Sequence, residues 1–131
     1  MITPTDISTI LYRKCAEFGI DRYKKGNIPM GDVASDRVVI IMTPQENDSI
    51  WKKGFVHVNL EVPDIDSDGR ANLTRLNELE RMSATVLDDV VGEFDGTPYY
   101  YWIDSIGIEE DPKVKCHYIN VRVFFQVLNT K

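Results

Sequence analysis

From Val114 to Leu128 the chain alternates in polarity for an unusually long stretch, and this stretch constrains the fold more than any other. Ile119, Val121, Val123, Phe125 and Val127 share one phase, while Tyr118, Asn120, Arg122, Phe124 and Gln126 share the other. Successive side chains of a strand point to opposite faces, so a period of two predicts a strand with one buried face. Strands typically run about 5 to 6 residues. One this long must carry a bulge, bend, or extend past its own domain. Its second phase is not purely polar either: Phe124 and Tyr118 stand among Asn, Arg and Gln, which suits packing on a neighbouring subunit.

The preceding stretch, Thr97 to Ile108, is aromatic and extended, with Pro98 favouring a strand start or an edge. Glu109-Glu110-Asp111-Pro112 reads as the turn, so the two segments predict an antiparallel hairpin. Within Tyr99-Tyr100-Tyr101-Trp102, alternate members face the core and the others are available to a partner. Phe55 to Val62 also alternates: Val56, Val58, Leu60 and Val62 form one face, and Phe55, His57, Asn59 and Glu61 the other. Arg37 to Met42 is a β-branched run that predicts a strand covered on both faces. Residues 20 to 36 are turn-rich and predict a loop with room for one short strand. Residues 43 to 53 predict a polar loop with Ile50 and Trp51 as an apolar tip.

Helical spacing appears twice. Thr3-Pro4-Thr5-Asp6 has the form of a capped helix start, and Ile7, Ile10, Leu11, Cys15 and Phe18 recur behind it, predicting a helix over residues 4 to 18 stopped by Gly19. Leu73, Leu76, Leu79, Met82, Ser83, Val86, Leu87 and Val90 predict a second helix over residues 70 to 91, with Gly92 as its stop. The predicted fold class is α+β, in one domain over residues 1–131: an antiparallel sheet of about four strands, with an N-terminal helix and one long central helix packed on it. At 131 residues and 43% hydrophobic, the chain can bury such a core without metals or crosslinks.

Charge narrows the function classes. The net charge of −6 is distributed as +1 over residues 1 to 60, −11 over 61 to 112 and +4 over 113 to 131. Nucleic-acid binding needs clustered Lys and Arg, and the Tyr99–Trp102 run lacks them, so no nucleic-acid partner is expected. The basic end either folds back beside the acidic middle or meets the acidic face of a neighbouring copy. No apolar run is long enough for a membrane span, and MITPTDIST lacks the basic-then-apolar pattern of a secretory signal, so a cytoplasmic protein with no membrane partner is expected.

Sites of chemistry are sparse. Pro63-Asp64-Ile65-Asp66-Ser67-Asp68-Gly69 opens like a calcium loop, with Gly69 in the sixth place, but Arg75 stands where a bidentate Glu is needed and a strand precedes it. The same residues read more simply as a turn, with Asp66 or Asp68 capping the second helix. His57 and His117 read as strand residues in polar phase, away from other ligands at recognised spacing. The acidic runs around Asp88-Asp89 and Glu109-Glu110-Asp111 read as solvated element ends. Cys15 and Cys116 are far apart in sequence and read as structural thiols. No G-x-S-x-G elbow and no Gly-rich phosphate loop occurs. No catalytic, cofactor-binding or metal residue is therefore assigned, no cofactor is expected, and the chain reads as non-enzymatic.

The order of an N-terminal amphipathic helix, the apolar strand DRVVIIM, the strand VNLEVPD, a helix after the acidic turn and the terminal strand INVRVFFQVLN resembles the tail-terminator or tail-completion proteins of phage and prophage necks and tails. That resemblance implies a non-enzymatic α+β protein that forms a ring, commonly a hexamer, at the end of a tail tube. Its partners would be further copies of itself and tail-tube or head-connector proteins. It would reside in the cytoplasm during assembly and then in the virion. Trp51, Tyr118, Arg122 and Phe124 are the expected protein-contact residues. Two other readings compete: an adaptor that engages a basic partner through its acidic segment 61–112, and a metal-dependent enzyme using Asp64, Asp66 and Asp68.

Overall fold

A computed structural model describes residues 1–43 and 53–128. Helix α1 spans Pro4–Lys14 and begins as the sequence predicts. The Asp6 N–H donates to Thr3 Oγ1 at 3.1 Å, and the Thr3 N–H donates to Asp6 Oδ2 at 2.9 Å. This reciprocal capping satisfies two amides that the helix itself cannot. Thr3→Ala should therefore lower the unfolding free energy by about 1 kcal/mol. Thermal unfolding would report the change as a drop of about 3–6 °C. The last part of the predicted helix tightens into a 3₁₀ turn over Cys15–Phe18, and Gly19, at φ 71°, ends it.

Among the described residues six strands form one sheet, where about four were expected: β1 (Asp21–Lys24), β2 (Arg37–Met42), β3 (Lys53–Pro63), β4 (Val90–Phe94), β5 (Thr97–Asp111) and β6 (Cys116–Val127). The order across the sheet is β1-β2-β3-β6-β5-β4. All neighbours are antiparallel except β1 and β2, which pair in parallel from Asp21↔Arg37 to Lys24↔Ile40. The strand of fifteen residues is β5, and the irregularity that such length demands lies there, between Ile103 and Ser105.

The second helix, α2, spans only Leu73–Val86, so the expected long helix over 70 to 91 is corrected. Its cap is Asn72, whose Oδ1 accepts the Arg75 N–H at 3.2 Å, in place of Asp66 or Asp68. Beyond Val86 the chain turns through Asp89 at φ 54° and enters β4. Asp95 and Gly96, both left-handed at φ 50° and 79°, make the two-residue turn that joins β4 to β5. Gly92 is no helix stop: it lies opposite Tyr99, and a Cβ there would collide with the Tyr99 phenol.

Both helices pack on one face of the sheet, α1 against β1 and β2, and α2 against β3 and β6. The core between them includes Leu11, Val58, Leu79, Val121 and Phe125. The sheet curls around α1. From one edge the Arg22 guanidinium reaches the Tyr12 carbonyl at 2.7 Å, and from the other the Phe94 ring sits 5.9 Å from the Arg13 guanidinium. Among the described residues, no helix is long and apolar enough to cross a membrane.

Candidate protein-contact site

The opposite face of the sheet carries no helix among the described residues, and the pleat decides what stands on it. Each strand sends its core phase to the helices, so β3 presents Phe55, His57, Asn59 and Glu61, while β6 presents Tyr118, Asn120, Arg122, Phe124 and Gln126. Register then sets the neighbours: Phe55↔Phe124, His57↔Arg122, Asn59↔Asn120 and Glu61↔Tyr118. On β5 the aromatic run divides as alternation requires. Tyr99 and Tyr101 stack on Phe125 inside, with centroids 5.2 and 5.5 Å away. Tyr100 and Trp102 stand outside.

Four rings consequently form a row across three strands. Phe55 meets Phe124 edge-on at 5.3 Å, Phe124 lies 4.8 Å from Trp102, and Trp102 meets Tyr100 edge-on at 5.0 Å. All four are half-buried. Arg122 closes one flank, with its guanidinium 4.2 Å from the Phe55 centroid and its Nε and Nη2 donating to Asp104 Oδ2 at 2.8 and 2.7 Å. This fixes the guanidinium over the ring, where the ring's quadrupole attracts it. At the far end the Tyr100 hydroxyl donates to Asp89, and that hydrogen bond pushes the phenol's pKa up.

Of the contact residues expected from sequence, Arg122 and Phe124 belong to this row. Tyr118 stands apart, on the same face four positions earlier in β6, about 13 Å along the strand. It borders a hollow with Ile28, Met30, Asn59 and Glu61, and burial, followed by nearby Glu109, raises its pKa. Trp51 lies outside the described residues. Tyr100 and Trp102, the members of the Tyr99–Trp102 run left available to a partner, complete the row together with Phe55, which sequence alone did not single out. The available signal was their phase: each is an aromatic residue on the polar face of its own strand.

The middle of this face is polar yet closed. Arg37 Nε donates to Glu61 Oε1 at 2.6 Å with both side chains 10% exposed. Asn120 Nδ2 donates to Asn59 Oδ1 at 2.7 Å and lies 3.2 Å from His57 Nδ1. His57 is thus a hydrogen-bonded strand residue, as the sequence suggests. His117 differs from its expected polar phase: it shares the phase of Ile119, and its Nδ1 lies 2.7 Å from Asp64 Oδ1.

That contact disperses the Asp64, Asp66 and Asp68 set. Asp64, 5% exposed, turns inward to His117. Asp66 Oδ1 accepts the N–H groups of Asp68 and Arg70 at 3.0 and 3.3 Å, holding the turn. Arg70 pairs with Asp66 and Asp68 from outside. Among the described residues, no three His, Cys, Asp or Glu side chains converge as a metal centre would need. Cys15 and Cys116 are both buried, and burial pushes each thiol up to about 12, far from a thiolate nucleophile.

Fold and face together define an α+β protein that presents a half-covered aromatic row on a helix-free sheet surface. No protein-family model matches the sequence, and no curated protein matches it. A solved structure described only by a serial designation superposes with a TM-score of 0.55 over 95% of each chain, at 11% identity. At that identity the likeness speaks to the fold alone.

Proposed function

We propose that this chain is a non-enzymatic structural assembly protein, of the kind that forms a ring at the end of a phage tail tube and joins the tube to the head. The aromatic row Phe55-Phe124-Trp102-Tyr100, flanked by Arg122, carries the reading. Tyr, Trp, Phe and Arg are enriched in protein interfaces, and clustered rings of this kind form their energetic centres. The division of charge into −11 and +4 segments supports contacts between unlike surfaces of neighbouring copies. The order of elements from α1 to the terminal hairpin supports the tail-terminator resemblance in particular.

Light scattering of the purified chain should give a mass several times that of one chain, and electron micrographs of the protein mixed with tail tubes should show density at one tube end. Trp102→Ala combined with Phe124→Ala should abolish both while leaving the far-UV circular dichroism unchanged. A wild-type chain that stays monomeric at high concentration and leaves tube ends bare would overturn the reading. If that monomer captured a basic partner instead, the acidic-adaptor reading would replace it.

A further inference from the structure

The strand β5 is longer than the strand that covers it. Pairing with β4 ends at Val90↔Tyr101, while pairing with β6 continues to Asp111↔Cys116. Asp88 Oδ1 accepts the Ile103 N–H at 2.9 Å, which closes the first open position. From Asp104 to Asp111 no strand lies outside β5 among the described residues. Such an edge presents unpaired amides and carbonyls, and proteins ordinarily cover it or guard it.

Here the edge is bordered by apolar surface. Leu73 of α2 is 64% exposed, and Ile106 and Ile108 of β5 are 37% and 52% exposed. Together with Leu76 and Ile119 they line a shallow groove between α2 and the edge, with Glu80 at its rim. Nothing lies within 4 Å of the space a Cβ on Gly107 would fill, so the helix-free side of this edge is uncovered at its centre.

Charge selects the occupant. The edge carries Asp104, Glu109, Glu110 and Asp111. Two copies joined through this same edge would set carboxylates against carboxylates, which is destabilising across a strand pair. The opposite end of the sheet has the reverse character. Strand β1 reads Asp21-Arg22-Tyr23-Lys24 and is followed by Lys25, with Arg13 beside it on α1. Arg22 and Lys24 are held over the Tyr12 ring at 4.3 and 5.6 Å, on the helix side of the sheet. Glu110 shares the phase of Ile106 and Ile108, so it and Glu80 stand on that same side.

We infer that the open half of β5 is a seam between copies, and that the strand added to it is β1 of the next copy. Main-chain hydrogen bonds would extend one sheet into the next, while Arg22 and Lys24 approach Glu80 and Glu110. The contact joins two different surfaces and is therefore head-to-tail, closing into a ring if its rotation allows. This inference rests on the ring reading and specifies its subunit contact.

A charge exchange tests it. Glu109→Lys/Glu110→Lys sets two lysines on the β5 edge against the basic β1 end, and Lys24→Glu/Lys25→Glu sets two glutamates on the β1 end against the acidic edge. Each variant alone should need at least about tenfold more protein than wild type for half-assembly, because like potentials now meet. An equimolar mixture should regain assembly, since each reversed end then faces its complement on the other variant. Circular dichroism and melting temperature show that both variants are folded, and the single changes Glu109→Lys and Lys25→Glu serve if either pair is not. If the folded variants assemble alone like wild type, or if the mixture fails to restore assembly, the seam is wrong while the ring reading stands. A wild-type chain that never assembles removes both.

Discussion

Phe125→Ala should lower the unfolding free energy by about 3–5 kcal/mol, the range for removing a large side chain from a packed core. Phe125 is fully buried, lies on β6 between β3 and β5, and stacks against Tyr99 and Tyr101 from the helix side. Because β6 is central, its inner face cannot collapse into the vacated space without dragging both neighbouring strands. Against a typical total of about 5–15 kcal/mol, such a loss moves the chain close to its threshold. Urea titration should show a lower midpoint with an unchanged slope, since the surface exposed on unfolding is nearly the same. Phe124, one position earlier and on the opposite face, is the matched control. Phe124→Ala should cost about 1 kcal/mol or less, because its ring is already partly solvated. Its effect should fall on assembly. Equal losses at both positions would contradict the assignment of one phase to the core and the other to a partner.

That contrast also shows which parts of the fold are readable from one sequence. Alternation in β3 and β6, the apolar run of β2 and the capping box of α1 are local signals, and the structure places these elements close to the predicted positions. β4 escaped because Val90 satisfies two rules at once. It continues the spacing of Leu79, Ser83 and Val86, yet it packs against the same core as a strand residue. The deciding signal was Asp95-Gly96, a two-residue hairpin turn that marks the preceding residues as a strand. β1 is four residues long and pairs in parallel across a long connection, so no pattern within it could reveal the pairing. The aromatic row divides in the same way. That Tyr100 and Trp102 face outward follows from alternation. That they continue through Phe124 to Phe55 depends on the register of three strands far apart in sequence. The same dependence hid the contact of Asp64 with His117, which turned an apparent ion loop into an inward hydrogen-bonded contact and a closed turn.

Glu61→Ala should cost about 3–5 kcal/mol, although the side chain lies on the face that the helices leave bare. The cost arises at Arg37. Its Nε donates to Glu61 Oε1 at 2.6 Å, the two residues are directly paired across β2 and β3, and both are buried. Removing the carboxylate leaves an always-protonated guanidinium, with its side chain only 10% exposed, without its acceptor. Replacing both partners removes the problem together with the pair. Arg37→Met/Glu61→Leu should be within about 1 kcal/mol of wild type or more stable, because well-packed apolar groups avoid the desolvation penalty. A double-mutant cycle by chemical denaturation measures the coupling, and near-additive single effects would show that the pair is solvated in solution. Assembly of the double variant then separates two reasons for placing the pair here. Glu61 is directly opposite Tyr118 on β6, and both border the hollow beneath residues 28–31. A variant that is stable yet fails to assemble would mean that the ion pair shapes a surface which a neighbour reads. One that folds and assembles normally would confine its role to fixing the register of β2 on β3.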